Sequence, residues 1–239
     1  SGDPSLTLTA VPWMFRLAPS TDAMAEAVAS SLVDGASKTS LKIASVYRTD
    51  RDGRAWRDAL EKALAKRQQP VYTETFLDDA NAIETALKRV QRTDPDRIIL
   101  YANPDLSAAW LEPWSSDGFD EVPIAYRNGP GEWRIDWPLE KGLTRYRFLT
   151  CDEKSDQFAG FCQSFQVRFP GSECTPVAAN AWDAANLIID AIRETGLNRA
   201  RIRDAIAAQS GARGAGGLIR WDNGGGNTRP VQRIVETHH

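Results

Sequence analysis

Two carboxylates one residue apart, Asp50 and Asp52, follow an apolar run and precede Gly53 and Arg54 in the stretch VYRTDRDGRAW. Oxygens held that closely at a strand end are what metal-assisted phosphoryl chemistry uses, and also what the cationic group of a ligand would meet. No Lys or Thr motif follows in the order that phosphate transfer needs. Asp52 near a helix start is also stabilised by the helix dipole with no function at all. The plain reading is a solvated loop capping a helix, its carboxylates open to a ligand. Two further groups share the expected mouth: Tyr101 and Asn103 end the run RIILYAN, and Arg127, Asn128 and Glu132 lie just beyond PIAY. The aspartates suit a cationic group and Arg127 an anionic one, so a zwitterion or an amine is the guest this set predicts.

Other chemistry is excluded or weak. His238 and His239 are the only histidines and read as a tag remnant, so no His base, Ser–His pair or His-based metal cluster can be built. The run GARGAGG, residues 211–217, could cradle a phosphate, but no GK[ST] helix follows it, and a hairpin lead-in is the better reading. Trp13, Trp133 and Trp137 could stack a ligand, although Trp near crossing strands more often fills space between layers. Neither a cofactor nor a metal is expected.

The elements that must position these groups begin with Leu41 to Phe76. LKIASVY is a strand, RTDRDGR a loop, and Trp56, Leu60, Ala63 and Leu64 recur at helical spacing. Pro70 ends that region, and VYTETF alternates as a second strand should. The result is a βαβ unit, whose strand-end loop lies on the edge where open α/β sheets bind ligands. Before it, Ser20 to Asp22 caps a helix bearing Met24, Val28 and Leu32, stopped by Gly35. After it, residues 78–81 cap a helix with Ile83, Leu87 and Val90 inside, and Ile98 to Tyr101 is apolar enough to be a central parallel strand. A short helix carrying Leu106, Trp110 and Leu111 and a strand at Val122 to Tyr126 complete a doubly wound, mostly parallel sheet. Arg127 to Thr150 reads as an irregular crossover. Asp156 to Phe169 is a helix whose Phe158, Phe161, Phe165 and Phe169 form a buried face, PGSECTP breaks it, and Ala181 to Thr195 is a long helix ended by Gly196. Asn198 caps one more, and the tail reads as two strands joined by a turn at Asn223 to Asn227. The expected division is a linker at 1–20, an α/β lobe at 21–130, and a crossover with a helical return segment and C-terminal strands at 131–239.

With 239 residues, 42% of them hydrophobic and eight of them Trp, the chain can build a substantial core. A net charge of -3 and a pI near 5.5 supply no basic field, which argues against nucleic acid or an acidic membrane as partner. No apolar run is long enough to span a bilayer, and the amino terminus has no signal-peptide pattern.

Several segments, taken in order, resemble the type I periplasmic binding proteins, the leucine/isoleucine/valine-binding kind of solute receptor that also supplies receptor ectodomains. PWMFRLAPSTDAMAEAV is similar to that family's FR-x-x-P-[ST]-D lead into its second lobe, and VYRTDRDGRAWRDAL to its strand, acidic loop, Gly-Arg and helix. TDPDRIILYANP, WDAANLIIDAI and GLIRWDNGGGNTRPVQRIV resemble its PDAI strand, its YDA helix and its G-x-I-x-FD-x-x-G ending. The resemblance implies a non-catalytic, extracytoplasmic receptor, periplasmic or extracellular. Its partners would be a small polar ligand, commonly an amino acid, and a membrane transporter or receptor component. Two departures stand out. Asp52 occupies the position where the family usually presents an aromatic residue to the ligand, and no counterpart of the first lobe precedes Ser1. The rival functions are an interaction or sensor scaffold of this fold that has lost its ligand, and a metal-dependent phosphotransfer enzyme at Asp50 and Asp52. The departures also predict that apolar return helices seek cover, either on the sheet or in a homo-oligomer or partner chain. Three cysteines, Cys151, Cys162 and Cys174, sit in one segment without zinc spacing. Two of them flank a helix in loop-like sequence, and the implied compartment is oxidising, so one disulfide is expected, its pairing open.

Overall fold

The structure is a computed structural model that describes residues 5–8, 11–34, 40–76, 80–102, 122–129, 132–139 and 142–238. A short helix, α1 (Ser5–Leu8), precedes α2 (Thr21–Val33), which buries Met24, Val28 and Leu32. The βαβ unit then appears as β1 (Ile43–Arg48), α3 (Arg51–Ala65) and β2 (Val71–Phe76), with β1 and β2 parallel. The amphipathic spacing of α3 places Trp56, Leu60, Ala63 and Leu64 inside. Next come α4 (Ala80–Gln91), β3 (Arg97–Tyr101) and β4 (Ile124–Gly129), and both strands extend the sheet in parallel. The expected helix at Leu106 to Leu111 lies outside the described residues, as do the side chains of Ile83 and Leu87.

The stretch expected to be irregular is instead two strands, β5 (Glu132–Leu139) and β6 (Gly142–Leu149). β5 runs antiparallel to β4, with an irregular register between Arg127 and Gly129. The last strand, β9 (Gln232–His238), completes the order β2-β1-β3-β4-β5-β6-β9. Trp56 of α3 stacks on Tyr101 and Trp133, so α3 covers the face of the odd-numbered β3 and β5 residues. Ala86 and Val90 of α4 pack with Ile98, Leu100 and Ile124 on the other face. A sheet with helices on both sides, doubly wound in its parallel half, is what the alternating strand and helix patterns require.

Two compact units result: Thr21–Phe148 with Arg233–His239, and Ser1–Ser20 with Leu149–Gln232. The second holds three helices, α5 (Asp156–Arg168), α6 (Pro176–Thr195) and α7 (Arg199–Ala208), and the two-residue strands β7 (Arg213–Gly214) and β8 (Gly217–Leu218). α6 begins five residues earlier than its apolar spacing suggested, because Pro176 stands in the first turn behind the Thr175 cap, where a missing N–H costs nothing. The turn after Trp221 is closed by a bridge to Asn227. The phenylalanine stripe of α5 is not a buried face. Phe158 alone is buried, against Cys151, Ala179 and Ala215, while Phe161 and Phe165 are half-buried and Phe169 is exposed. Likewise α6 buries Leu187 but leaves Trp182, Ile188 and Ile189 in solvent.

Candidate functional site

Because β1, β3 and β4 are parallel, their carboxyl ends open on one edge. Tyr101 ends β3 there, and Arg127 lies level with it on β4, on the same face, its guanidinium 5.7 Å from the centre of the phenol ring. Beneath Tyr101 lie Trp56 at 5.6 Å and Trp133 at 6.0 Å, themselves stacked at 4.0 Å. Both tryptophans are buried, so they serve as a rigid floor rather than a ligand contact. Burial raises the Tyr101 pKa; Arg127 and Arg48 oppose the rise, and Asp52 and Asp50 add to it. Arg127 lies beside the phenol, and Asp50 and Asp52 follow β1 on the same carboxyl-end edge of the sheet. Arg48, read in sequence as the first residue of the RTDRDGR loop, is the last residue of β1.

The two aspartates differ in what they have left to offer. Asp50 caps α3: its Oδ1 accepts from the Gly53 N–H at 2.7 Å, and its Oδ2 accepts from Arg48 Nε at 2.7 Å and from Arg48 Nη2. Burial pushes the Asp50 pKa up, but the Gly53 N–H and Arg48 outweigh it and hold the carboxyl below its usual range. Asp52, exposed in the first helical turn, has no ion pair with a described residue. Gly53 is required by the same turn, since a Cβ there would lie 1.9 Å from the Arg48 carbonyl oxygen.

Of the remaining candidates, Glu132 is held by its neighbours. It accepts from Arg134 Nε at 2.7 Å and from Arg147 Nε and Nη2 at 3.3 Å. Asn128 lies on β4 with its side chain outside the described set, and Asn103 is outside the described residues. Trp13 belongs to the other compact unit. It is 46% exposed, and the guanidiniums of Arg199 and Arg203 lie 5.3 and 4.9 Å from its ring centre. GARGAGG is a cradle, but for an internal anion. The buried Asp183 carboxylate accepts from Ala215 N–H at 2.6 Å and Gly216 N–H at 2.8 Å, and a Cβ at Gly214 would collide with it. Cys162 and Cys174 form the disulfide, and Cys151 is a buried thiol outside it. A groove of about 800 Å³ in the same unit is lined by Phe161, Phe165, Phe169, Trp182 and Leu187.

No curated protein matches the chain in sequence. Solved structures match its fold. A leucine binding protein from Thermotoga maritima aligns with TM-score 0.75 at 18% identity, over 98% of this chain and 69% of that one. A putative branched-chain amino acid ABC transporter protein from Rhodospirillum rubrum aligns with TM-score 0.67 at 21% identity, over 99% and 68%. A solute binding protein from R. palustris in complex with benzoate gives 0.72 at 14%, over 98% and 68%. At these identities the likeness is one of fold. The sequence profile described as periplasmic binding protein matches residues 4–235, and with nearly the whole length accounted for, the chain belongs to the periplasmic binding protein family.

Proposed function

We propose that the chain is a non-catalytic module binding a small polar solute, amino-acid-like in charge, outside the cytoplasm, in the service of an ABC-type transporter or a sensing receptor. One observation carries this reading. Asp52 in the first turn after β1 and Arg127 on β4 beside Tyr101 are opposite charges on the carboxyl-end edge of one parallel sheet, and neither is ion-paired with a described residue. A ligand with a cationic and an anionic group would satisfy both, with Tyr101, packed on its tryptophan floor, beside Arg127. Receptors of this fold that bind leucine or benzoate make a solute of this size reasonable. The phosphotransfer alternative is disfavoured, because both Asp50 oxygens are already engaged by Gly53 and Arg48.

A thermal-shift screen with amino acids, small carboxylates, polyamines and Mg²⁺ tests the proposal. A solute at a hundredfold excess over its dissociation constant should stabilise the chain by about 2.7 kcal/mol. Asp52→Asn and Arg127→Gln should each weaken it about tenfold or more, as loss of a charge-assisted hydrogen bond does. A folded chain that no compound stabilises, or a hit indifferent to both substitutions, sinks the assignment. The second reading, a scaffold of the same fold that has lost its ligand and works through protein contacts, is favoured by Asp52 at the usual aromatic position and by the apolar side chains that α6 exposes. It predicts the first of those negative results.

A further inference from the structure

We propose that Cys151 and the Cys162–Cys174 disulfide form an internal thiol–disulfide exchange set, which carries a thiol from the core of the helical unit to Cys174 at its surface. The three sulfurs share one apolar cluster. Cys151 is fully buried with Phe158, Ala179 and Ala215, and Cys162 and Cys174 pack against that group. Phe158 and Cys162 lie one turn apart on α5, so one face of that helix presents both to the cluster that holds Cys151. The attacking species in exchange is a thiolate, which burial alone disfavours. Arg229 counters this. Its Nη2 donates to the carbonyl of Thr150, the residue before Cys151, at 2.5 Å and to Asn180 Oδ1 at 2.8 Å. Its Nε and Nη1 are buried with no hydrogen-bond partner among the described residues, so the guanidinium has charge and donors left for a thiolate beside it. Attraction to Cys151 is the foremost effect holding Arg229 charged against its own burial.

The step balances without an outside oxidant or reductant. Cys151 gives its proton to solvent, and its sulfur attacks the Cys162 sulfur. A Cys151–Cys162 bond forms as the Cys162–Cys174 bond breaks, and the released electron pair stays on Cys174, which takes up a proton. Two features select Cys174 as the leaving sulfur. It directly precedes Thr175, the cap of the 20-residue α6, where the positive helix end favours a thiolate, and the better-stabilised thiolate leaves faster. It also follows the exposed, non-helical residues 169–173, which let it move away, whereas Cys162 is held within α5. The outcome is a sealed thiol exchanged for a half-buried one at the end of an exposed loop, open to a small disulfide or an alkylating reagent.

The test is alkylation of the native, unreduced 239-residue chain with iodoacetamide at mildly alkaline pH, followed by an acid quench and peptide mapping without reductant. Lys154 and Arg168 separate the three cysteines into different tryptic peptides, so the label and the bond are each assigned directly. The expected product carries the label on Cys174 and a Cys151–Cys162 bond. Cys151→Ala removes the attacking sulfur and leaves the disulfide in place, and it should abolish Cys174 labelling. Should that variant not fold, the position of the label in the parent chain decides alone. Label on Cys151 with the Cys162–Cys174 bond intact, as plain opening of the unit would give, overturns the proposal. So does a native chain that takes up no label, or Cys174 labelling that persists in Cys151→Ala.

Discussion

Tyr101 reports the charges at the mouth whether or not a solute is bound. Its pKa is raised first by burial, and then by Asp52 and Asp50, against the pull of Arg127 and Arg48. A cation stabilises phenolate and an anion destabilises it. Arg127→Gln should therefore push the Tyr101 pKa higher still, and Asp52→Asn should lower it, each followed by ultraviolet titration of the phenol. Tyr126 serves as an internal reference. It is raised to about 12 by burial and by Asp136, whose carboxylate accepts its hydroxyl hydrogen at 3.0 Å, and neither mouth charge is among the groups that shift it. If both substitutions leave the Tyr101 titration where it was, the four charges do not share one mouth. The shared edge of β1, β3 and β4 was readable beforehand, because parallel strands must end on one edge. What sequence could not read is which aspartate is spent: the Arg48 and Gly53 contacts to Asp50 depend on a turn whose closure is set in three dimensions.

At the scale of elements, the strands missed in sequence explain themselves through their charges. In β5, Glu132, Arg134 and Asp136 alternate with Trp133 and Ile135, and in β6 Arg145 and Arg147 share the polar face. The polar residues form a ladder: Asp136 takes Arg145 Nε at 2.7 Å, while Glu132 takes Arg134 and Arg147, and Arg147 reaches Glu236 of β9 at 3.3 Å. Cross-strand pairing makes a charge-rich strand stable, but without knowledge of the partners the same residues look like a solvated crossover. The early apolar strands needed no such knowledge, and their positions followed from pattern alone. Glu132 is central to the ladder. Burial pushes its pKa up, yet hydrogen bonds and charge from Arg147 and Arg134 prevail and hold it below the ordinary range. A depressed carboxyl contributes stability above its unfolded pKa, and that contribution is lost as pH falls through the folded value. Glu132→Gln should thus cost on the order of 1–2 kcal/mol near neutrality, and the gap to the parent should close below about pH 4. Denaturant melts at both pH values read this out, and an equal loss at both would mean that packing, not charge, accounts for Glu132.

For the whole molecule, the division into two compact units has a thermodynamic consequence. The sheet unit rests on a large buried core that includes Trp56, Ile98, Ile99, Leu100 and Ile135. The helical unit buries smaller clusters, around Cys151 and Phe158, Leu17 and Ile219, and Ala191 and Ile206, and leaves large apolar side chains of α5 and α6 in solvent. Apolar burial is the main favourable term in folding, so the helical unit depends more on its covalent tie. The Cys162–Cys174 bond closes a loop across 12 residues, and a loop of that size is worth about 3 kcal/mol through the unfolded chain it restrains. Reduction should therefore lower the unfolding midpoint of the helical unit and leave that of the sheet unit unchanged. Cys151 supplies the readout, being a fully buried thiol of the helical unit that an alkylating reagent reaches only when that unit opens. With Cys162→Ser/Cys174→Ser in place of reductant, Cys151 labelling should accelerate roughly a hundredfold, as about 3 kcal/mol implies when opening is fast and reversible. Protection of the amides of β1 and β3 against hydrogen exchange should stay the same. Loss of that protection together with Cys151 exposure would mean that the two units unfold as one.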